Sequence, residues 1–279
     1  MFTAETGFSL SQNSNPMIDL HSHFLYGVDD GARDSDITLQ MLLQAESVGI
    51  TKLLATPHVN EMTGPESVNQ IKETYESVFQ MIKKTGISID IKLAGEVNLL
   101  GTELSLEEHD WVLIGTVQKY ILVETPFQNL PDRYSEILFN LRLKKIIPLI
   151  AHPERNIKLQ HDPSPLVQWI NQGCLVQIDA GSITGQFGSR CQRFAKRLLQ
   201  ARAVHTIGSD AHDHRGRNYR VLENACKEVE TLVDNSYAQL LCDKNPEKIW
   251  HGHKIEEMPL DENAVFASGW NKFLDILTR

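Results

Sequence analysis

MIDLHSH, residues 17–23, is a short apolar run that ends on two imidazoles, His21 and His23. In a strand, residues two apart point to the same face, so both rings can reach one ion. The same pattern recurs along the chain. LLAT-Pro stops at His58, IKLAG at Glu96, ILV at Glu124 and IIPLIA at His152. LVQI stops at Asp179, and HTIGS at Asp210, with His212 two residues on. Stretches of helical periodicity separate most of these runs. Strands that alternate with helices form a parallel sheet, and in a closed parallel barrel their carboxyl ends converge on one face. The spacing predicts an α/β fold, a single TIM-like (β/α)7 barrel, with a polynuclear metal site in its mouth.

The helix signals sit where such a barrel needs them. Asp34-Ser35 open an amphipathic segment to about Val48, closed by Gly49. Residues 66–85 place Val68, Ile71, Tyr75, Val78, Phe79 and Ile82 at helical spacing, closed by Gly86. Pro131 opens a helix through Lys144, and 164–172, 187–201 and 218–233 read as further helices. Beyond about 236 lie two shorter amphipathic pieces. Residues 1–16 lack a basic n-region and an apolar h-region and are expected to be a flexible arm. Residues 17–279 are expected to be one barrel domain with a C-terminal helical tail. The tail around Trp270, Phe273, Leu274 and Leu277 is expected to dock on the barrel, with a homo-oligomer contact as the alternative.

Bulk composition excludes several classes. The net charge is −9 over 279 residues, which argues against a general nucleic-acid or anionic-membrane binder. No apolar run is long enough for a membrane span. Cys174, Cys191, Cys226 and Cys242 form no close pair in sequence, as expected for reduced thiols in the cytoplasm.

Taken singly, each strand-end His or Glu reads most simply as a capping or hydrogen-bonded rim residue. Taken together, His21, His23, His58, His152 and His212 with Asp30, Glu96, Glu124 and Asp210 exceed what one ion can coordinate. Two to three divalent ions are implied, and imidazole with carboxylate but no thiolate suits Mn, Fe or Zn in a catalytic site. The Gly27–Gly31 loop can fold back to bring an Asp into the mouth. Arg155 and Arg217 lie on loops leaving ligand-bearing runs, and guanidinium forks match phosphate oxygens.

As an ordered set, Asp-Leu-His-Ser-His (19–23), Gly-Val-Asp-Asp-Gly (27–31), Ala-Thr-Pro-His (55–58), Gly-Glu (95–96), Val-Glu-Thr (123–125), Ala-His-Pro-Glu-Arg (151–155) and Ser-Asp-Ala-His (209–212), with Gly216-Arg217 beyond it, carry a specific resemblance. The sequence resembles the PHP superfamily (polymerase and histidinol phosphatase). Within it, the chain is similar to the metal-dependent protein-tyrosine phosphatases of bacterial capsule and exopolysaccharide systems, the CpsB/YwqE group. The resemblance implies a distorted TIM-like (β/α)7 barrel of the PHP type and a trinuclear site, commonly manganese-dependent. By that resemblance His21, His23, Glu96 and Asp210 hold one ion, and Glu96, Glu124 and His152 a second. Asp30, His58 and His212 hold the third. It also implies hydrolysis of phosphotyrosine on a protein, expected to be a bacterial tyrosine kinase or another protein of polysaccharide export.

The expected chemistry is direct attack by metal-activated water, with Arg155 and Arg217 on the phosphoryl oxygens and no covalent phosphoenzyme. Asp179 is assigned at most a supporting or acid role. Phe24, Tyr26, Phe127 and Tyr219, on loops 24–34, 125–131 and 212–220, are candidates to stack on the tyrosine ring. Cys191 to Arg197 has the C-x5-R spacing of cysteine phosphatases, but it contains no glycine and reads as a helix. A small-molecule phosphatase of the histidinol-phosphate kind, a phosphodiesterase and a non-catalytic scaffold are the alternatives.

Overall fold

The computed structural model describes residues 16–60, 63–100, 109–256 and 259–267. Most of the expected arm, and the segment around Trp270, lie outside the described residues. The chain opens with β1 (Met17–Ser22), α1 (Ser35–Ser47), β2 (Ile50–Ala55), β3 (His58–Val59) and α2 (Pro65–Thr85). Next come β4 (Asp90–Leu93), β5 (Glu96–Val97), β6 (Leu113–Ile114), β7 (Lys119–Glu124) and α3 (Asp132–Leu143). They are followed by β8 (Ile146–Ala151), α4 (Ile157–His161), α5 (Ser164–Asn171) and β9 (Leu175–Asp179). The last part holds α6 (Ala180–Thr184), α7 (Ser189–Gln200), β10 (Thr206–Gly208) and α8 (Arg220–Leu232). Three short helices end it, α9 (Asn235–Gln239), α10 (Asn245–Trp250) and α11 (Glu262–Phe266).

Each apolar run forms strand, but two are broken. Thr56-Pro57 separates β2 from β3, and Ala94-Gly95 separates β4 from β5. Pro57 has no N–H to give a ladder. Pairing nevertheless continues across both breaks, through Ala94 N–H to Ala55 O (2.8 Å) and Glu96 N–H to Pro57 O (3.1 Å). The parallel order is β1-β2-β4 in one sheet and β10-β9-β8-β7-β5-β3 in the other, with β6 antiparallel on β7. An isolated parallel bridge joins Ser22 to Ala211. Beside it, Asp210 N–H donates to His21 O and His23 N–H to Ala211 O.

Side chains of alternating parity along the strands enter two different cores. Ile18, Leu20, Leu54, Ala94, Tyr120, Leu122, Leu149 and Leu175 pack with one another. Leu53, Ile121, Val123, Ile150, Val176 and Ile207 pack with the helices. Burial on both faces is why the strands read as continuous apolar runs. Ile249, Trp250 and Ile255 join the inter-strand core from the C-terminal side. Lys52 pairs with Glu247 at 2.6 Å, Lys92 donates to Trp250 O, Gln118 N–H to Gly252 O and Tyr120 OH to His253 O. These bonds fix residues 247–255 against β2, β4 and the start of β7.

The helix caps follow the sequence closely. Asp34 accepts from Ile37 N–H at the start of α1, and Gly86 ends α2 in the left-handed conformation. No helix among the described residues is long and apolar enough to cross a membrane.

Candidate metal centre

The carboxyl ends of the strands bring the nine expected side chains together. His21 Nδ1 meets Gln177 Oε1 at 2.8 Å, and His23 Nδ1 meets Asp29 Oδ2 at 2.7 Å. Each ring is thereby anchored on one nitrogen while Nε2 points inward, the usual arrangement of a metal-ligating histidine. His21 Nε2 lies 3.1 Å from Glu96 Oε2 and 3.4 Å from Asp210 Oδ1. His23 Nε2 lies 3.3 Å and 3.4 Å from the same two atoms. His58 stands between two carboxylates, with Nδ1 3.2 Å from Glu96 Oε2 and Nε2 3.3 Å from Asp30 Oδ1. His212 donates from Nδ1 to Asp210 O, leaving Nε2 3.2 Å from Asp30 Oδ1. His152 Nε2 meets Glu96 Oε1 at 2.8 Å.

The backbone is bent to place these groups. His152 and Asp210 adopt φ of 38° and 51°, a left-handed conformation that costs a non-glycine residue about 1 kcal/mol or more. His152 N–H to Gln177 O and Asp210 N–H to His21 O hold them there. Two glycines make room. A Cβ on Gly31 would lie 2.0 Å from His23 O, and one on Gly208 would lie 2.9 Å from His21 Cβ.

Three groups of ligand atoms lie close enough to share an ion: His23, Asp30, His58 and His212; His21, His23, Glu96 and Asp210; and His58, Glu96 and Glu124. His23 thus belongs to two groups, and His58 rather than His152 accompanies Glu96 and Glu124. His21 Nε2, His23 Nε2, His212 Nε2, His152 Nδ1 and Glu96 Oε2 are buried without a hydrogen-bond partner. An orphaned buried polar atom costs about 1–3 kcal/mol. Four of these five converge with carboxylate oxygens on common centres, and a donor set of imidazole and carboxylate suits a divalent cation. The residues fit the group.

Electrostatics agree with that fit. Burial pushes the Glu96 carboxyl up, but the charge on His21 and the close approach of the His152, His21 and His23 rings bring it well below the usual range. Glu124 is raised, by burial and by the neighbouring Glu96 charge. Burial lowers His23, while Asp29 and Asp210 raise it further, to well above its ordinary value. Asp30 is lowered by the His212 and His58 imidazoles that stand against it. Without a cation the cluster must hold protons in their place.

Asp210 divides its oxygens. Oδ1 faces the histidines, and Oδ2 accepts from Arg155 Nη1 at 3.0 Å and from Arg217 Nη2. Arg155 lies between two aromatic rings, 4.4 Å from the Phe127 centroid and 4.2 Å from that of Phe187. Its Nη1 also reaches Asp179 Oδ2 at 3.5 Å. Asp179 lies in none of the three ligand groups and accepts from Gly181 N–H at the start of α6.

Two expectations fail. Phe24 is fully buried in the core, and Tyr219 is buried with its hydroxyl on Ser22 Oγ, so neither can stack on an incoming ring. Tyr26 is partly buried and Phe127 remains exposed at the rim. Cys191 lies in α7, and burial raises its pKa, so the thiolate a cysteine phosphatase needs is disfavoured. Sequence reasoning missed Asp29, Gln177 and Phe187. Asp29 and Gln177 had a weak signal, each a polar residue within two positions of an expected ligand or strand end, whereas Phe187 had none.

The family of CpsB/CapC capsular polysaccharide synthesis proteins matches residues 17–251. The tyrosine-protein phosphatase YwqE of Bacillus subtilis is 36% identical over 208 residues, 74% of this chain and 82% of its own. The tyrosine-protein phosphatase CpsB of Streptococcus agalactiae is 29% identical over 206 residues, 71% of this chain and 83% of its own. Crystal structures of YwqE from Bacillus subtilis and CpsB from Streptococcus pneumoniae, metal-dependent tyrosine phosphatases, include a chain that superposes with a TM-score of 0.78. It is 31% identical and covers 88% of this chain and 98% of its own length.

Proposed function

This chain belongs to the CpsB/CapC family and is a metal-dependent tyrosine-protein phosphatase, and we propose which of its residues carry that activity and on what substrate. His21, His23, Asp30, His58, Glu96, Glu124, His152, Asp210 and His212 hold two to three divalent ions, most simply manganese. The observation that carries this reading is the set of unpartnered buried nitrogens turned on Glu96 and Asp210. We read the two sheets as one distorted seven-unit PHP-type barrel, a reading supported by the bonds between the chain after β10 and the end of β1.

When bound, the ions supply positive charge that polarises the phosphoryl group and acidifies water. The chain's own residues set the geometry. Arg155 and Arg217 converge on Asp210 Oδ2, so a phosphate oxygen entering there finds two guanidiniums already aimed. The Phe127 and Phe187 rings on either side of Arg155 fix its fork. Tyrosine leaves with a pKa of about 10, a modest demand on any acid.

The substrate is a phosphotyrosine segment of a bacterial tyrosine kinase, or of another protein of capsule export, met in the cytoplasm. The test is turnover in Mn²⁺ of a phosphotyrosine peptide against a phosphoserine peptide and histidinol phosphate. The phosphotyrosine peptide should have the highest kcat/KM, and faster turnover of histidinol phosphate would defeat the reading.

A further inference from the structure

Helix α7 carries four cations, Arg190, Arg193, Lys196 and Arg197, and no acidic residue, in a chain of net charge −9. Arg190, Arg193 and Arg197 stand three and four positions apart, which puts them on one face of the helix. That stripe rises about 10 Å along the axis. Lys196 is neutralised by Glu228 at 2.5 Å, whereas the three arginines have no ion pair among the described residues. Unopposed like charges on one face repel one another, so the stripe is a feature that helix stability alone would not select.

The stripe borders a groove of about 710 Å³, floored by Phe194 and Leu232 and flanked by His161 of α4. The groove is tied to the metal-centre side of the molecule through Gln160, which lines it, and through the turn that leads into α7. Phe187, two residues before α7, stacks on Arg155 and lies 5.9 Å from Arg217. The Cys191 thiol in the first turn of α7 accepts from Gln160, whose amide also donates to Glu154 O in the His-Pro-Glu-Arg turn.

We propose that this arginine face is an exosite for acidic residues flanking the phosphotyrosine of a protein substrate. The inference rests on the phosphatase reading and adds a sequence preference to it. Charge complementarity selects the occupant. The metal centre takes the phosphate, and an extended segment leaving it covers about 3.3 Å per residue. A few residues therefore span the arginine stripe, and carboxylates there gain charge-assisted hydrogen bonds to guanidinium. Such contacts, at an exposed groove, act mainly on capture and fall with salt.

The test compares the wild type with the R190E/R193E double variant in Mn²⁺ on three substrates. They are a phosphotyrosine peptide with flanking Asp and Glu, the same peptide with Gln and Asn instead, and p-nitrophenyl phosphate. The wild type should prefer the acidic peptide over the neutral one by about tenfold in kcat/KM at low salt. The double variant should lose that preference, mostly through KM, while p-nitrophenyl phosphate turnover stays within twofold. Unchanged p-nitrophenyl phosphate turnover also certifies the fold, and R193Q should give a smaller loss of the same kind. Equal loss on all three substrates, or an acidic preference that survives the reversal, overturns the exosite. So does binding to anionic phospholipid vesicles that the reversal abolishes while peptide kinetics stay unchanged. Should no substrate turn over, the phosphatase reading fails separately. Fluorescence anisotropy of the unreacted peptides then reads the exosite alone, and equal affinity for the acidic and neutral peptides overturns it.

Discussion

The two ends of the parallel strands are built on opposite principles. At the amino ends, Tyr120, Trp250, Ile249 and Ile255 pack between the strands, and Lys52, Lys92, Gln118 and Tyr120 are partnered by residues 247–255. His205, beside Val176, is buried and neutral, its pKa pressed down to about 4 by burial alone. At the carboxyl ends, five imidazoles and four carboxylates crowd together, several with orphaned atoms and two on left-handed backbone. One strand pattern thus delivers stability at one end and stored electrostatic conflict at the other. Conflict of that kind persists in folded proteins chiefly where function depends on it.

The sharpest way to break the comparison is Glu96→Gln. Glu96 meets His21, His23, His58 and His152, so turnover of p-nitrophenyl phosphate should fall about a thousandfold or more. Its Tm, measured in chelator, should stay within a few degrees of wild type. A large drop in Tm would show that the carboxyl ends carry stability after all. Arg155→Ala should lower kcat/KM about a hundredfold with bound metal unchanged. Loss of metal together with activity would place Arg155 in holding the ions.

The opposite end should respond in the opposite way. Trp250→Ala empties a nearly fully buried position, and urea unfolding should show a loss of about 3–5 kcal/mol. Turnover per folded molecule should change little. His205 gives a pH signature. Its folded value lies below the unfolded 6.5, so the unfolded chain binds more protons between the two. The stability it confers is present above about pH 6.5 and is lost as pH falls toward 4, about 3 kcal/mol in all. Urea titrations of metal-free protein across that window should show the fall diminished in His205→Gln. A parallel fall in both proteins would mean His205 is not buried as neutral. The smallest effect belongs to Cys191→Ser, which should leave turnover within twofold.

The strands were legible because both faces are buried, so LLA, ILV and LIA read as apolar runs. The proposed ligands were legible because most end such a run or follow closely on it, whereas Asp30 sits in the Gly27–Gly31 loop and was singled out only by the family resemblance. The breaks at Thr56-Pro57 and Ala94-Gly95 were not, since pairing across them depends on backbone bonds to neighbours distant in sequence. β6, α4 and α6 are too short to show periodicity. Phe24 and Tyr219 misled because a loop aromatic looks the same whether it faces the mouth or the core. Asp29, Gln177 and Phe187 act through His23, His21 and Arg155, and such partners become visible only when the chain is folded.

The most direct test of the metal centre is metal analysis of the purified chain paired with turnover of p-nitrophenyl phosphate, before chelation, after it, and after adding back Mn²⁺. The predicted result is two to three divalent ions per chain, activity abolished on their removal and restored by manganese, with the fold intact throughout. Undiminished turnover by metal-free protein would contradict the account.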